Sequence, residues 1–243
     1  MAGDNSIDLP LKIKTSDLPV RVASAAVMLA IAAGAFVLGG IWLRGFIILV
    51  AIGCYAEFAR LVWRAADAWP TRVVALAAGL LYIGSAAAVL EGAGQFLLIL
   101  MIGVTIFTDT GAYFAGRAIG GPKIAPAISP SKTWAGLAGG MVASALWAVL
   151  WAVYLNDPVT GIGPRFELGL DLGAGNVAAL AALGAGLAVV AQAGDFFESW
   201  LKRKAGVKDS SRLIPGHGGI FDRVDGLLPV ALVIGLLSHA LVG

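Results

Sequence analysis

The chain has 243 residues, of which 59% are hydrophobic and only 13% charged, with 33 glycines and a mean hydropathy of +0.88. That balance excludes an ordinary soluble globular domain and matches an all-α, polytopic integral membrane protein forming one domain over residues 1–243. A net charge of +2 is too small for a nucleic-acid-binding surface, and the single cysteine, Cys54, rules out an intrachain disulfide and a cysteine-based metal site, so it reads as buried packing.

Asp4, Asp8 and Asp17 precede the first apolar run, which lacks the form of a cleavable signal peptide, so the mature chain is expected to begin near Met1. A helix in lipid must satisfy its own backbone polar groups, and about 20 apolar residues are needed to cross. Seven stretches are candidates, approximately 22–40, 45–63, 73–90, 95–116, 134–155, 177–195 and 224–242. The first three, within 22–90, are rich in Ala, Gly, Val and Leu and read as scaffold; 95–243 is expected to carry the chemistry. Glu57, one turn before Arg60, reads as half of an ion pair at a helix end.

Charge asymmetry orients the bundle. With the amino terminus in the cytoplasm, 15 of the Lys and Arg residues fall inside and only Arg44 and Arg165 outside. Seven spans with an external carboxyl terminus is therefore the expected topology. Residues 156–176 form a turn-rich outer connection.

The fourth span ends in an ionisable residue, Asp109, which is expensive in lipid unless it faces a cavity, a partner or an ion. Thr105, Thr108, Asp109, Ala112, Tyr113 and Gly116 lie at spacings of three and four, giving one polar, small-residue stripe suited to lining a cavity. In the next loop, Ser129-Pro130 has the form of a helix N-cap followed by proline at the first helical position, so the fifth span is expected to open there. Ser129, Lys132 and Thr133 would then form an anion site.

From Lys202 to Arg223 the charge density rises sharply: Lys202, Arg203, Lys208, Asp209, Asp222 and Arg223 surround a Pro215-Gly216-His217-Gly218-Gly219 turn. Asp195 ends the sixth span, and Asp222 and Asp225, three apart, open the seventh on one helical face. Paired carboxylates repel unless bridged by cations, and hard oxygen ligands suit Mg2+ where phosphate oxygens complete the coordination. The glycines expose backbone N–H groups to a phosphate. Cations, carboxylates and a Gly-rich turn together describe a polyphosphate site at a membrane surface, which a lipid-binding polybasic loop does not account for.

Ser199, Lys202-Arg203, Lys208-Asp209, His217-Gly218-Gly219, Asp222-Arg223 and Asp225, at these spacings, resemble the signature of the phosphatidate cytidylyltransferase (CDP-diacylglycerol synthase) family. Asp109-Thr110-Gly111-Ala112-Tyr113 and Ser129-Pro130-Ser131-Lys132-Thr133-Trp134 resemble its other elements. The close likeness covers roughly 105–140 and 192–228. The resemblance implies transfer of a cytidylyl group from CTP to phosphatidic acid, with pyrophosphate released, in phospholipid biosynthesis. It assigns Asp195, Asp222 and Asp225 to Mg2+, with room for a second cation such as K+, and Lys202, Arg203, Lys208 and Arg223 to the phosphates. His217 either donates to a phosphate or braces the glycine turn, and Asp109 and Tyr113 shape either the cavity or the nucleotide pocket.

Membrane lipids and a homodimer are the further partners it admits, in a bacterial inner (plasma) membrane with the site facing the cytoplasm. The rival readings are a polyprenol-type lipid kinase and a cation or phosphate transporter. A transporter would place acids mid-membrane in several spans, where Asp109 alone qualifies.

Overall fold

The computed structural model describes residues 18–156 and 174–242. Among the described residues, six helices are long and apolar enough to cross a membrane: α1 (Leu18–Leu38), α2 (Gly40–Ala65), α3 (Trp69–Gly92), α4 (Gln95–Ala118), α5 (Trp134–Asn156) and α6 (Ala174–Lys204). A hairpin, β1 (Lys123–Ala125) and β2 (Ser129–Thr133), joins α4 to α5, and one turn of helix, α7 (Phe221–Val224), precedes the short apolar α8 (Leu227–Val242). The expected turn-rich outer connection falls largely outside the described residues.

The seventh span anticipated from residue 224 is thus a helix of 16 residues, about 24 Å long at 1.5 Å per residue, shorter than the other six. The helix breaks at Asp225 and Gly226, where the Asp225 carboxylate accepts the Gly226 N–H at 2.8 Å and satisfies a donor that a continuous helix would have used. Pro229 follows within the first turn of α8, where its missing N–H costs nothing.

The helices turn much of their apolar surface outward. Val37 is 81% exposed and Leu81 71%, positions that a soluble protein would bury and that lipid covers here. The shared core runs through Cys54, Phe58 and Leu61 of α2, Ile83 of α3, Met101 and Val104 of α4, Leu187 of α6, Phe221 and Val230. Phe58 packs edge-on against Phe221, ring centres 6.1 Å apart, tying α2 to the segment that precedes α8. Cys54 is fully buried, in keeping with its reading as packing.

Small residues bring α4 and α5 together. A Cβ added at Gly140 would stand 2.9 Å from the Thr108 carbonyl oxygen, and one at Gly136 would stand 3.0 Å from that of Ala112. The contact buries Thr108, whose hydroxyl lies 2.7 Å from that of Ser144, so the polar stripe of α4 divides. Thr108 packs against α5, Thr105 bonds its own helix at the Ile102 carbonyl, and the remainder faces an opening.

The expected N-cap at Ser129 is overturned. Ser129 to Thr133 are strand, paired antiparallel with Lys123–Ala125, and α5 starts at Trp134. Pro130, which has no N–H to give a ladder, is tolerated in a strand with one neighbour. The capping side chain is Thr133, whose Oγ1 accepts the Gly136 N–H at 3.0 Å.

Candidate functional site

Two lysines and four carboxylates meet where β2, α6 and α7 converge. Lys132 extends from β2 to an ion pair with Asp195 on α6 and lies over the Phe196 ring. One turn on, the Ser199 hydroxyl donates to Asp195 Oδ1 at 3.2 Å. Lys202 bridges two carboxylates, at 2.5 Å from Glu198 Oε2 and 2.6 Å from Asp222 Oδ1. Asp195, Glu198, Ser199 and Lys202 recur at three- and four-residue steps, so one stripe of α6 supplies the site.

Asp222 was expected to pair with Asp225, yet the two have separate environments. Asp222 Oδ2 accepts the N–H groups of Ser210 at 3.0 Å and Gly219 at 2.8 Å, and lies 2.8 Å from the Ser210 hydroxyl. Burial alone would raise its pKa, but hydrogen bonding with Glu198, Lys202, Gly219 and Ser210 outweighs burial and holds it well below the usual carboxylate range. Asp225, in the break before α8, has the opposite balance. Burial pushes its carboxyl up to about 7, the nearby Asp195 charge adds to the rise, and the Gly226 N–H opposes it.

The carboxylates that group most tightly are Asp195, Glu198 and Asp225, which present ligand atoms within 4.8 Å of one another. Glu198 is 1% exposed, and its Oε1 has no hydrogen-bond partner. A buried, unpaired carboxylate oxygen beside two other carboxylates is the donor set a hard divalent cation fits. Glu198 was absent from the sequence expectation, although it stands three residues after Asp195.

Glu57 departs from its expected ion pair with Arg60. It pairs with no Arg60 side chain; it is buried on α2 and holds the signature loop. Its Oε1 accepts the Ser211 hydroxyl at 2.6 Å and the Ile220 N–H at 3.0 Å, while Oε2 accepts the Phe221 N–H at 2.8 Å and lies 2.7 Å from the Ser210 hydroxyl. Gly219 leaves the room for this clamp, since an added Cβ would collide with Glu57 and Ser210. Gly218, at φ +84°, adopts a turn that favours glycine and brings the chain back under Asp222.

The other expected residues divide into two places. Asp109, Tyr113, Lys132, Thr133 and Asp195 line one polar cavity of about 350 Å³, together with Gln192, whose buried Oε1 is also without a partner. Arg117 joins that wall and donates to the Tyr113 hydroxyl at 3.1 Å. Lys208, Asp209, His217, Gly218 and Arg223 line a second, of about 460 Å³, with Arg21 of α1. There Arg223 donates through Nε and Nη2 to the His217 carbonyl, at 3.1 and 2.5 Å, and His217 Nδ1 lies 2.9 Å from the Ser24 hydroxyl. Ser24 also donates to the Pro215 carbonyl at 2.9 Å, so the glycine turn touches α1 at two points. Arg203 donates to the Ile128 carbonyl at 3.3 Å, linking α6 to the hairpin, and Ser129 is buried within it.

A bundle of apolar helices with lysines, carboxylates and a glycine turn at one end defines a helical membrane protein with a charged site there. Comparison narrows this to one lineage. Residues 89–241 match the model of the cytidylyltransferase family. The phosphatidate cytidylyltransferase of Brucella suis is 41% identical over 182 residues, 72% of this chain and 59% of the relative. That of Rickettsia felis is 31% identical over 228 residues, 90% of this chain and 91% of the relative, and that of Haemophilus influenzae 40% over 134 residues, 55% and 42%. The chain belongs to the phosphatidate cytidylyltransferase family. It spans about 59% of the length of its Brucella relatives.

Proposed function

We infer that this protein transfers the cytidylyl group of CTP to phosphatidic acid, giving CDP-diacylglycerol and pyrophosphate. The observation that carries the reading is the cluster of Asp195, Glu198, Asp222 and Asp225 interlocked with Lys132 and Lys202. It supports a reaction in which anions must be brought together.

The nucleophile is the lipid phosphate, whose second pKa of about 6 leaves it largely dianionic at neutral pH, so no side-chain base has to create it. One of its oxygens attacks the α-phosphorus of CTP, the bond to the bridging oxygen breaks in line, and pyrophosphate departs with those electrons. The protein's task is positioning and charge neutralisation.

Asp195, Asp222 and Asp225 are the carboxylates assigned to Mg2+, and Glu198 joins them because of its unpaired oxygen. Four carboxylates against two lysines leave an excess of negative charge, which a divalent ion would offset. When bound, the ion neutralises phosphate oxygens and fixes their orientation.

Lys132 reaches into the cavity shared with Asp109, Tyr113 and Arg117 and presents a cation to a phosphate there. Lys202 holds Asp222 and Glu198 in register, and Lys208 and Arg223 lie beside the glycine turn for the second phosphate group. An apolar groove of about 650 Å³, lined by Phe58, Tyr82, Phe197 and Trp200 with Lys204, faces the lipid and offers room for acyl chains. With the amino terminus inside, CTP arrives from the cytoplasm while phosphatidic acid stays in the inner leaflet.

The test is conversion of labelled CTP into a lipid-extractable product by the purified protein in detergent, with phosphatidic acid and Mg2+. Product should require both, and Asp222→Asn should lower turnover by about a hundredfold or more while the protein stays folded. Phosphorylation of a lipid alcohol, or cation flux in vesicles, without CDP-lipid would overturn the reading.

A further inference from the structure

A further depression of about 510 Å³ opens between the end of α2 and the loop that follows α6; it shares Lys208, Asp209, Ser211 and Arg212 with the cavity of His217 and Arg223, and no lining residue with that of Asp109, Lys132 and Asp195. Arg60 and Arg64 form one wall; Lys208 and Arg212, almost 150 residues later in the chain, form the other, with Asp209 and Ser211 beside them. Among the described residues, none of these four cations is in an ion pair. One acidic side chain against four basic ones leaves a strongly positive depression.

Basic residues that serve only to orient a membrane protein need to lie near a helix end, and nothing requires them to converge. Here the convergence is enforced. Glu57, Arg60 and Arg64 recur at steps of three and four on α2, on one face. Glu57 grips Ser210 and Ser211, two of the three residues between Lys208 and Arg212, so the clamp that seats the signature loop also brings its cations to the same depression as those of α2. Holding four like charges together is unfavourable by itself and becomes favourable with a multivalent anion between them. Paired guanidinium groups suit tetrahedral phosphate oxygens in particular.

We propose that Arg60, Arg64, Lys208 and Arg212 form a second anion site that takes a phosphate-bearing polyanion. The chemistry is that of several phosphates held together, either linked in a soluble polyphosphate or clustered as neighbouring anionic lipid headgroups at the bilayer surface. Lys208 is common to this site and to the phosphate place given it in the reaction inferred above, so the test substitutes Arg60 and Arg64 alone.

Inorganic tripolyphosphate is titrated into the purified full-length protein, without divalent cations, and followed by calorimetry. In a second arm, retention of phosphatidylglycerol against phosphatidylcholine is read by native mass spectrometry. Wild type is compared with the double variants Arg60→Gln/Arg64→Gln and Arg60→Lys/Arg64→Lys, with melting temperature as the folding control.

The Gln variant should bind tripolyphosphate about tenfold more weakly, the Lys variant should recover part of the loss, and wild-type binding should weaken as salt is raised. If tripolyphosphate binding is unchanged and only phosphatidylglycerol retention falls, the site stands and its ligand is a lipid headgroup. Absence of both forms of binding in wild type, or equal binding by wild type and a folded Gln variant in both arms, overturns the proposal. Because neither arm requires turnover, failure to form CDP-lipid leaves this result standing.

Discussion

Glu57 Oε2 accepts the backbone N–H of Phe221 at 2.8 Å, a hydrogen bond that closes 164 residues of chain. Through it, and through the bonds from Ile220, Ser210 and Ser211, a helix outside the region matched by the family model holds the start of α7 and hence Asp222 and Asp225.

Glu57→Ala should therefore act on both stability and turnover. It strands buried donors that lose a charged-type acceptor, at a cost of about 3 kcal/mol or more. Thermal unfolding in detergent should show a clear loss of melting temperature. At temperatures where the variant is folded, kcat should fall more than the KM for CTP rises, because the defect lies in carboxylate placement. Glu57→Gln, which keeps one carbonyl acceptor, should fall between the variant and wild type on both readouts.

The pH response follows from Asp225. Its folded pKa of about 7 exceeds the ordinary carboxylate value, so the folded state binds more protons than the unfolded chain between the two values. Stability of the metal-free protein should consequently decline as pH rises from about 4 through 7. Asp222, held low, loses its stabilising contribution only at more acidic pH and stays constant over this window. Melting temperatures at pH 5.5 and 8 should show the decline. Mg2+ should reverse it at pH 8, the half-saturating Mg2+ concentration should fall as pH increases, and Asp225→Asn should make the decline shallower.

Close approach of α4 and α5 is a third point of attack. In Gly140→Val the new Cβ meets the Thr108 carbonyl, a backbone atom unable to turn aside, so the helices must separate. Overpacking of this kind costs about 1–3 kcal/mol. The hairpin that carries Lys132 follows α4 directly, so separation also displaces the lysine from Asp195. Reduced melting temperature together with a raised KM for substrate would show that coupling, whereas Gly120→Ala, with nothing within 4 Å of the new Cβ but a φ of +68°, should strain only its own turn.

Local composition by itself determined the helices, because satisfying backbone groups in lipid is a demand met within each segment. It also singled out Asp109, Lys132, Asp195, Lys202, Asp222 and Asp225 as candidates, since ionisable residues stand out in an apolar chain. What the tertiary structure alone decided are the partnerships. Ser129 to Thr133 had the local form of a helix start, but pairing with Lys123–Ala125 made them strand and moved the cap to Thr133. Asp222 and Asp225 shared a helical spacing, but a break at Gly226 and the pull of Ser210, Gly219 and Lys202 separated them. Glu198 and Glu57 gained their roles from groups on other helices and loops. Spacing along the chain records which residues share a face, whereas a hydrogen bond or ion pair depends on which face lies opposite, and only packing supplies that.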